Sequence, residues 1–401
     1  MALGRSCVLL LALAVALPAA AQPLDSIADP SAVQIHGFAS QGFLVSTKND
    51  YLASSKQGSF ELTEVGVNLT KPLTDSLRMG VQLFSRKIGA TGNYNAKFDW
   101  FYVDYRWRDW LGLRVGRVKL PFGLYNEFSD IDAARVPILM PESVYPVQNR
   151  DFLLAQTGGE LYGHVEFAAA GAVEYRLYGG TIFLDASQTA SSPYQIKALN
   201  VPYLAGGRVL WETPLSGLRM GGSLQMLSIH TDLLYDSAVW MPLQMAGKVT
   251  PDFKGTLSAR VPAVLWVGSL EYAAHDLLLA AEYSRWHVKV ESAEPALFPV
   301  SHTTSERLYA MGAYRILGWL QPGLYYSLYF PNVDDRHGRD AMQHDLAATF
   351  RFDINDHWLV KLEGHALSGT AELNSALNDD VPKSKLTRHW TLFLVKTTGY
   401  F

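Results

Sequence analysis

The sequence predicts an all-β fold, a 16-stranded antiparallel transmembrane β-barrel with short periplasmic turns and long extracellular loops. Three observations support this prediction: apolar and polar residues alternate along many segments, the connections alternate between short and long, and the chain begins with a short apolar segment. A soluble β-sandwich would have no reason to keep all its long loops at one end. The elements that support the barrel are considered below in chain order.

The first 21 residues have the pattern of an export signal. Arg5 provides a positive charge, residues 8–17 form an apolar core, and residues 19–21 are alanines that suit cleavage before Gln22. A spanning helix needs about 20 apolar residues, which is twice the length of this core. We therefore expect residues 1–21 to be a signal peptide, 22–32 a periplasmic N-terminal segment and 33–401 the barrel.

Charge and cysteine content exclude several classes of protein. The 401 residues include 34 Lys and Arg against 38 Asp and Glu, so the net charge of -4 leaves no basic surface for nucleic acid. The single cysteine, Cys7, lies within the predicted signal. The mature chain therefore cannot form a disulfide, a cysteine-ligated zinc site or a thiol nucleophile, and nothing in the sequence calls for a cofactor.

Alternation with a period of two predicts the strands. In residues 76–87, Met79 and Leu83 point one way while Arg78, Gln82 and Arg86 point the other. The same pattern recurs along the chain and predicts strands at 33–46, 59–70, 76–87, 95–107, 111–119, 157–167, 171–181, 203–212, 216–230, 261–274, 276–288, 305–316, 318–331, 342–353, 356–367 and 386–401.

A sheet that lies in the hydrocarbon of a membrane must close into a barrel. Every backbone polar group in hydrocarbon needs a partner, so the first predicted strand must pair with the last. A barrel of sixteen strands is too wide for side chains alone to fill, and its polar faces would line an aqueous channel. The export signal and the strands together predict a protein of the bacterial outer membrane, surrounded by outer-membrane lipids.

Aromatic residues near the strand ends suggest a girdle at the membrane surface. Phe98, Trp100 and Tyr102 alternate with Lys97 and Asp99, so we expect the three rings to face lipid. The last strand ends in Phe401, and a terminal Phe on an amphipathic strand resembles the signal by which the barrel assembly machinery recognises its substrates.

The segment Gly116 to Leu124, GRVKLPFGL, resembles the strand-to-loop signature of the phosphate-selective porin O/P family of sixteen-stranded outer-membrane channels. Pro121 ends the strand and Gly123 lets the backbone turn inward. The resemblance implies that the following loop, 120–156, folds into the pore and narrows it, and that the protein forms a homotrimer. The apolar residues in this loop also favour packing against a wall.

The predicted charges are mixed. The candidate constriction residues are Glu127, Asp130, Asp132, Arg135, Glu142 and Arg150. The candidate wall residues are Arg78, Arg114, Arg176, Arg208, Arg219, Arg351, Lys361, Glu64, Glu160 and Glu363, with Glu166, Glu174, Glu212 and Asp345 as further acids. Similar numbers of both signs argue against a filter of one charge, so phosphate selectivity is not carried over from the resemblance.

These features predict a porin that lets small hydrophilic solutes or ions diffuse passively through a water-filled barrel. The sequence contains no G-x-S-x-G, H-E-x-x-H or phosphate-loop motif, so we expect no enzymatic activity. Two alternatives stay open: a channel selective for phosphate, dicarboxylate or sugar, and a structural or adhesive barrel plugged by its loops.

Overall fold

The computed structural model describes residues 32–89, 91–184 and 194–401, apart from the side chain of Asp151. These residues form a closed barrel of sixteen antiparallel strands, in which each strand pairs with its neighbours in sequence. The predicted fold class is confirmed. The strands are β1 Gln34–Ser46, β2 Leu62–Pro72, β3 Leu77–Ile88, β4 Lys97–Arg108, β5 Leu111–Lys119, β6 Ala155–Glu166, β7 Ala172–Thr181, β8 Tyr194–Glu212, β9 Leu218–Tyr235, β10 Thr256–Ala274, β11 Leu277–Ser292, β12 Ser301–Tyr314, β13 Leu320–Phe330, β14 Gln343–Asn355, β15 Trp358–Gly369 and β16 His389–Tyr400.

The barrel closes where β1 pairs with β16. The register runs from Phe38 opposite Tyr400 to Ser46 opposite Leu392. Two further backbone hydrogen bonds between Gly37 and Phe401, of 3.1 and 3.0 Å, extend this seam to the last residue. No strand edge is left unpaired along this seam, as a barrel in hydrocarbon requires.

Connections between strands differ in length at the two ends of the barrel. One end carries the turns 73–76, 109–110, 167–171, 213–217, 275–276, 315–319 and 356–357. At the other end we name the connections L1 (47–61), L3 (120–154) and L8 (370–388), and there are also connections at 89–96, 236–255, 293–300 and 331–342. Helix α1 (Arg150–Leu153) lies in L3 and helix α2 (Ser237–Met245) in the connection 236–255. No helix in the described ranges is both long and apolar enough to cross a membrane.

Three neighbouring strands extend five or more residues beyond their predicted ends. β8 begins at Tyr194 instead of residue 203, β9 continues to Tyr235 and β10 begins at Thr256. Beyond the predicted ends, Leu233 and Leu257 pack with Phe253 in an apolar core that also includes partly buried residues of α2. In this region the outward faces carry polar residues, so the lipid-facing alternation that marks the other strands is absent.

The side chains alternate between the inside and outside of the barrel as predicted. In β3, Met79 and Leu83 are 47% and 44% exposed on the outer face, while Gln82 and Arg86 are buried inside. In β9, Leu224 and Met226 face outward, and Ser223 and Gln225 face inward.

The prediction for the aromatic residues of β4 is only partly right. Phe98 is 61% exposed on the outer face, but Trp100 and Tyr102 face inward, where the Trp100 indole donates to Gln82 Oε1 at 2.9 Å. The register shifts because β4 contains one extra residue, Asp99, opposite the step from Gln82 to Leu83 of β3. A bulge of this kind reverses the faces of the residues that follow it.

The predicted signal peptide 1–21 and most of the segment 22–32 lie outside the described residues.

Candidate functional site

L3 runs inside the barrel and touches opposite parts of its wall. Near its start, the Gly123 amide donates to Ser223 Oγ of β9 at 3.0 Å, and the Leu124 amide donates to Glu282 of β11 at 2.9 Å. Further on, the Arg351 side chain of β14 donates to the Ala133 carbonyl at 2.7 Å. Strand-loop hydrogen bonds thus hold L3 across the lumen.

The inward turn after β5 occurs where the sequence predicts it. Gly123 has φ of +65°, a conformation that costs other residues energy. A Cβ atom at this position would lie 2.5 Å from the Tyr145 hydroxyl and 2.8 Å from a Glu282 carboxylate oxygen. Gly123 therefore lets L3 approach the wall closely.

Glu127 joins L3 to a ladder of ion pairs on the wall. Its carboxylate accepts from Arg176 at 3.0 Å and forms an ion pair with Arg208 at 3.1 Å. Burial alone would raise the pKa of Glu127, but the two guanidinium groups outweigh it and hold that pKa below its ordinary value. Glu127 is thus a carboxylate inside the barrel.

The ladder continues across neighbouring strands with alternating charge. Arg78 pairs with Asp104 at 2.7 Å, and Arg114 bridges Asp104 and Glu160 at 3.2 and 3.1 Å. Arg176 pairs with the same Glu160 at 2.7 Å. Arg208 with Glu174 and Arg219 with Glu271, each at 2.7 Å, add pairs on the following strands. Opposite charges therefore lie side by side on these strands, and the two signs do not separate onto opposite walls.

A second group of charges lies where L3 leaves β5 and returns to β6. Asp130 accepts from Lys119 at 3.1 Å and from Arg150 at 2.9 Å, and Arg150 also contacts Asp99 at 2.9 Å. Burial would raise the pKa of Asp130, but the neighbouring cations Arg150 and Lys119 outweigh it and lower that pKa. Both ends of L3 are thereby tied to each other and to β4.

A third group surrounds Asp132 on the opposite wall. The Lys361 ammonium, which is fully buried, lies 3.1 Å from the Asp132 carboxylate and 2.7 Å from its backbone oxygen. Thr398 donates to the other carboxylate oxygen at 2.7 Å. Lys396 lies 3.4 Å from Asp132 and 2.5 Å from Glu64, and the Arg135 guanidinium lies 3.9 Å from Glu64.

Glu142 and Glu363 lie nearby but in different surroundings. Glu142 accepts from the Val147 amide at 2.9 Å, while its buried second oxygen has no hydrogen-bond partner. Burial raises the pKa of Glu142 to about 8. Glu363, in contrast, accepts from the backbone amides of Ile138 and Leu139 in L3 at 2.6 and 2.8 Å.

Apolar residues of L3 also pack against the inner wall. Phe122, Tyr145 and Leu153 share one buried core with wall residues such as Leu204 and Tyr309. In a second core, residues of L1, L3 and L8 meet the wall, including Leu52, Ile138, Leu139, Leu373 and Trp390. The inner face is therefore less uniformly polar than the alternation predicts.

Space remains on either side of these contacts. A cavity of about 40 Å³ lies between L3 and β2, β3 and β16, where Glu64, Arg86, Asp130, Arg135, Arg150 and Lys396 contribute polar groups. A larger cavity of about 370 Å³ opens near the short turns, between Arg106, Arg114, Tyr162, Glu174 and Arg176. Both are large enough to hold water.

The structure brings most of the predicted constriction and wall residues into the three charge groups, whereas Glu166 and Glu212 are exposed at the ends of β6 and β8 next to the short turns. Several partners were missed, namely Asp99, Asp104, Glu271, Glu282, His365 and Lys396. Four of these, Glu271, Glu282, His365 and Lys396, lie on the inward face of regular strands, where the alternation could have found them. Asp104 follows the bulge in β4 and shares the face of Trp100 and Tyr102, which the alternation assigned to lipid. Asp99 lies at the bulge, on the face opposite Phe98 that the alternation assigns to the lumen.

Comparison with solved structures finds this barrel in outer-membrane proteins. The anion-selective porin of Comamonas acidovorans superposes with a TM-score of 0.54 at 12% identity, covering 92% of this chain and 99% of the other. OmpF of Salmonella typhi, in complex with daunomycin, gives 0.53 at 14% identity and covers 92% and 97%. The chain has the porin fold.

A third structure, the outer-membrane channel DcaP of Acinetobacter baumannii, gives a TM-score of 0.50 at 12% identity, with 92% and 97% covered. By sequence, the chain matches no family model and no curated protein. The likeness therefore lies in the porin fold, and the resemblance to the phosphate-selective family is not confirmed.

Within the described ranges, no three His, Cys, Asp or Glu side chains are arranged to hold a metal ion.

Proposed function

We propose that this protein is a porin of the bacterial outer membrane through which small hydrophilic solutes or ions diffuse passively. The observation that carries the proposal is a closed sixteen-stranded barrel whose inner wall holds many charged side chains and whose longest connection lies within the lumen. The outer face presents apolar residues such as Leu83, Leu224 and Phe350, which suit contact with lipid. The proposal involves no catalytic step and no cofactor.

In this proposal the short turns face the periplasm and the long loops face the outside, after export by the segment 1–21. L3 is the constriction, and Glu127, Asp130, Asp132, Arg135, Glu142 and Arg150 set its charge. The wall residues of the ladder, together with Arg351, Lys361, Glu64 and Glu363, hold L3 in position and define the path of a solute.

Reconstitution of the purified protein into a planar bilayer tests the channel. We expect stepwise increases in ionic current as single barrels insert. A correctly inserted full-length barrel that carries no current would contradict the proposal.

The contribution of L3 to ion preference has its own test. Replacing Asp130 and Asp132 with Asn leaves Lys119, Arg150, Lys361 and Lys396 with fewer counter-charges. Glu142→Gln in the same variant removes the charge that Glu142 gains above about pH 8. We expect the reversal potential in a salt gradient to shift toward anions. An unchanged reversal potential would remove these residues from the constriction.

The buried apolar cores between L3, L1, L8 and the wall favour a second candidate, a barrel plugged by its loops that serves as a structural or adhesive surface. The ion current before and after removal of most of L3 separates the channel from the plugged barrel. Only a constricted channel conducts before the removal. Selective uptake of phosphate, a dicarboxylate or a sugar would appear as competition of that solute with the ion current.

Partners of the proposed porin follow from its position in the membrane. The seam that ends at Phe401 suits recognition by the barrel assembly machinery, and outer-membrane lipids would surround the apolar band. Trimer formation rests on the family resemblance, and native mass measurement in detergent tests it.

A further inference from the structure

His365 of β15 lies buried inside the barrel between two carboxylates. Its Nδ1 atom lies 2.9 and 3.1 Å from the two oxygens of Asp345 on β14, and its Nε2 atom lies 3.1 Å from Glu363. The His365 side chain is 1% exposed, so water does not take the place of either partner.

Glu363 is the wall residue that receives the middle of L3. Its two oxygens accept from the Ile138 and Leu139 amides, and Thr349 donates to one of them at 2.5 Å. With His365, four donors converge on this carboxylate. Such a set stabilises the ionised form, since a protonated carboxyl would bring a fifth hydrogen to an already crowded group.

The protonation state of His365 follows from these contacts. An ionised carboxylate only accepts hydrogen bonds, so each ring nitrogen must donate, and an imidazole donates from both nitrogens only as the imidazolium cation. Tyr325 donates to Asp345 at 3.1 Å, which also favours the carboxylate. The arrangement is thus a hydrogen-bonded chain from Asp345 through His365 and Glu363 to the backbone of L3.

Other titratable groups face this chain from the surrounding elements. They are Glu142 in L3, Tyr51 in L1, Tyr325 on β13 and Glu372 in L8, and the neighbouring cations are Arg135 of L3, Arg307 of β12 and Lys383 of L8. Burial favours the protonated, neutral forms of Glu142 and Glu372, so Asp345 and Glu363 are the two carboxylates whose charge His365 compensates by direct contact. Removal of its proton would leave two carboxylates facing a neutral ring that can donate to only one of them.

We propose that His365, as imidazolium, is a positioning residue that holds L3 against the wall through Glu363, and that loss of its proton releases L3 and raises the ion current. The inference rests on the proposed porin function. It names the side chain that sets the size of the constriction.

The direction of the pH effect follows from proton binding. An imidazole in water loses its proton near pH 6.5, whereas the attached state of L3 keeps the proton between two carboxylates. The attached state therefore binds more protons than the released state, and rising pH favours release. Glu142, which is also protonated more easily in the attached state, acts in the same direction.

The experiment compares currents through the full-length protein in planar bilayers at about pH 7 and about pH 10. Since one released proton shifts the equilibrium by as much as about tenfold per pH unit, we expect the wild-type current to rise several-fold. His365→Gln should carry the high current at both pH values. His344→Gln is the matched control, because His344 lies on the outer face of β14, where it contacts the Tyr326 hydroxyl at 2.6 Å, and it should follow the wild type.

A second variant does not depend on replacing His365. The Ser143 hydroxyl of L3 and the Ser327 hydroxyl of β13 lie 2.7 Å apart, and the chain has no cysteine after Cys7. The double replacement Ser143→Cys and Ser327→Cys should form a disulfide that holds L3 on the wall. We expect the oxidised form to keep a low current at alkaline pH and the reduced form to regain the wild-type response.

Each outcome decides between the proposals. A wild-type current that is equal at both pH values, or an oxidised double-cysteine variant whose current still rises, overturns the role of His365 and leaves the porin function intact. Folded, inserted barrels that carry no current in any variant and at any pH overturn both. Circular dichroism of each variant establishes that the barrel has formed.

Discussion

At the scale of single residues, the buried charges of this barrel occur in groups that compensate each other. Lys361 and Lys396 are almost completely buried, but Asp132 and Glu64 lie within hydrogen-bond distance of them. A buried charge without such a partner is strongly destabilising, whereas a well-bonded pair is tolerated. The stability of the site therefore depends on keeping both members of each pair.

Replacing Lys361 tests this dependence. Lys361→Met removes the ammonium that bonds to Asp132 and to the Arg135 carbonyl of L3, so we expect the barrel to lose about 3 kcal/mol of stability. Thermal unfolding in detergent measures the loss. Lys289→Met is the control, since Lys289 is 54% exposed beside Glu291, and an equal loss in both variants would contradict the argument.

Glu142 makes the stability of the packed L3 depend on pH. Its pKa, raised by burial from 4.5 to about 8, means that the packed state keeps a proton which an exposed Glu142 would release. The packed state is thus fully favoured below about pH 4.5 and loses stability as the pH rises toward 8. In Glu142→Gln we expect the unfolding temperature to fall less between pH 5 and pH 8 than in the wild type; parallel curves would contradict this.

The sequence predicts the inward-facing residues well where strands are regular. Arg78, Arg114 and Glu160 follow directly from alternation, because the period of two fixes the face of each side chain. Trp100 and Tyr102 could not be placed in this way, since the extra residue Asp99 becomes visible only when β3 and β4 are paired.

At the scale of elements, L3 illustrates what a single sequence can and cannot predict. Its length, its apolar residues and Pro121 with Gly123 predict a loop that turns inward and packs on a wall. The strands that it touches could not be predicted, because an irregular loop has no period that assigns its side chains to partners. The contacts of Ile138 with Glu363 and of Ser143 with Ser327 depend on the path of L3 across the whole lumen.

Gly123 provides a test of this path. Gly123→Ala places a methyl group against the Tyr145 hydroxyl and Glu282, so we expect the start of L3 to shift and the ion current to change. Gly247→Ala is a matched control, because Gly247 has a similar φ of +67° but no atom within 4 Å of the added carbon. Both variants carry the same backbone strain of about 1–2 kcal/mol, and an identical current in both would show that the contact is unimportant.

At the scale of the whole molecule, closure is the feature that the sequence predicts most directly. Sixteen amphipathic strands need a seam, and β1 meets β16 in continuous register. The height of the barrel is less predictable. The extended β8, β9 and β10 are stabilised by the core around Leu233 and Phe253, which arises from contacts between distant segments.

Removing Phe401 tests the seam. The deletion breaks the two backbone hydrogen bonds with Gly37, and we expect a loss of about 1–3 kcal/mol. The temperature at which the folded barrel converts to the unfolded form on a gel measures this change. Phe401→Leu keeps both bonds and should stay close to the wild type; a deletion variant as heat-resistant as the wild type would show that the seam ends earlier.

The ladder from Arg78 to Arg208 has a consequence for the electric field that an ion would meet in the proposed channel. Opposite charges in it lie about 3 Å apart, which is much shorter than the screening length of about 10 Å in 0.1 M salt. Seen from the middle of the lumen, the pairs act as small dipoles whose fields cancel within a few ångströms. Because this residual field is weak, screening by dissolved salt changes it little. The relative permeability of cations and anions should therefore change little between dilute and concentrated electrolyte.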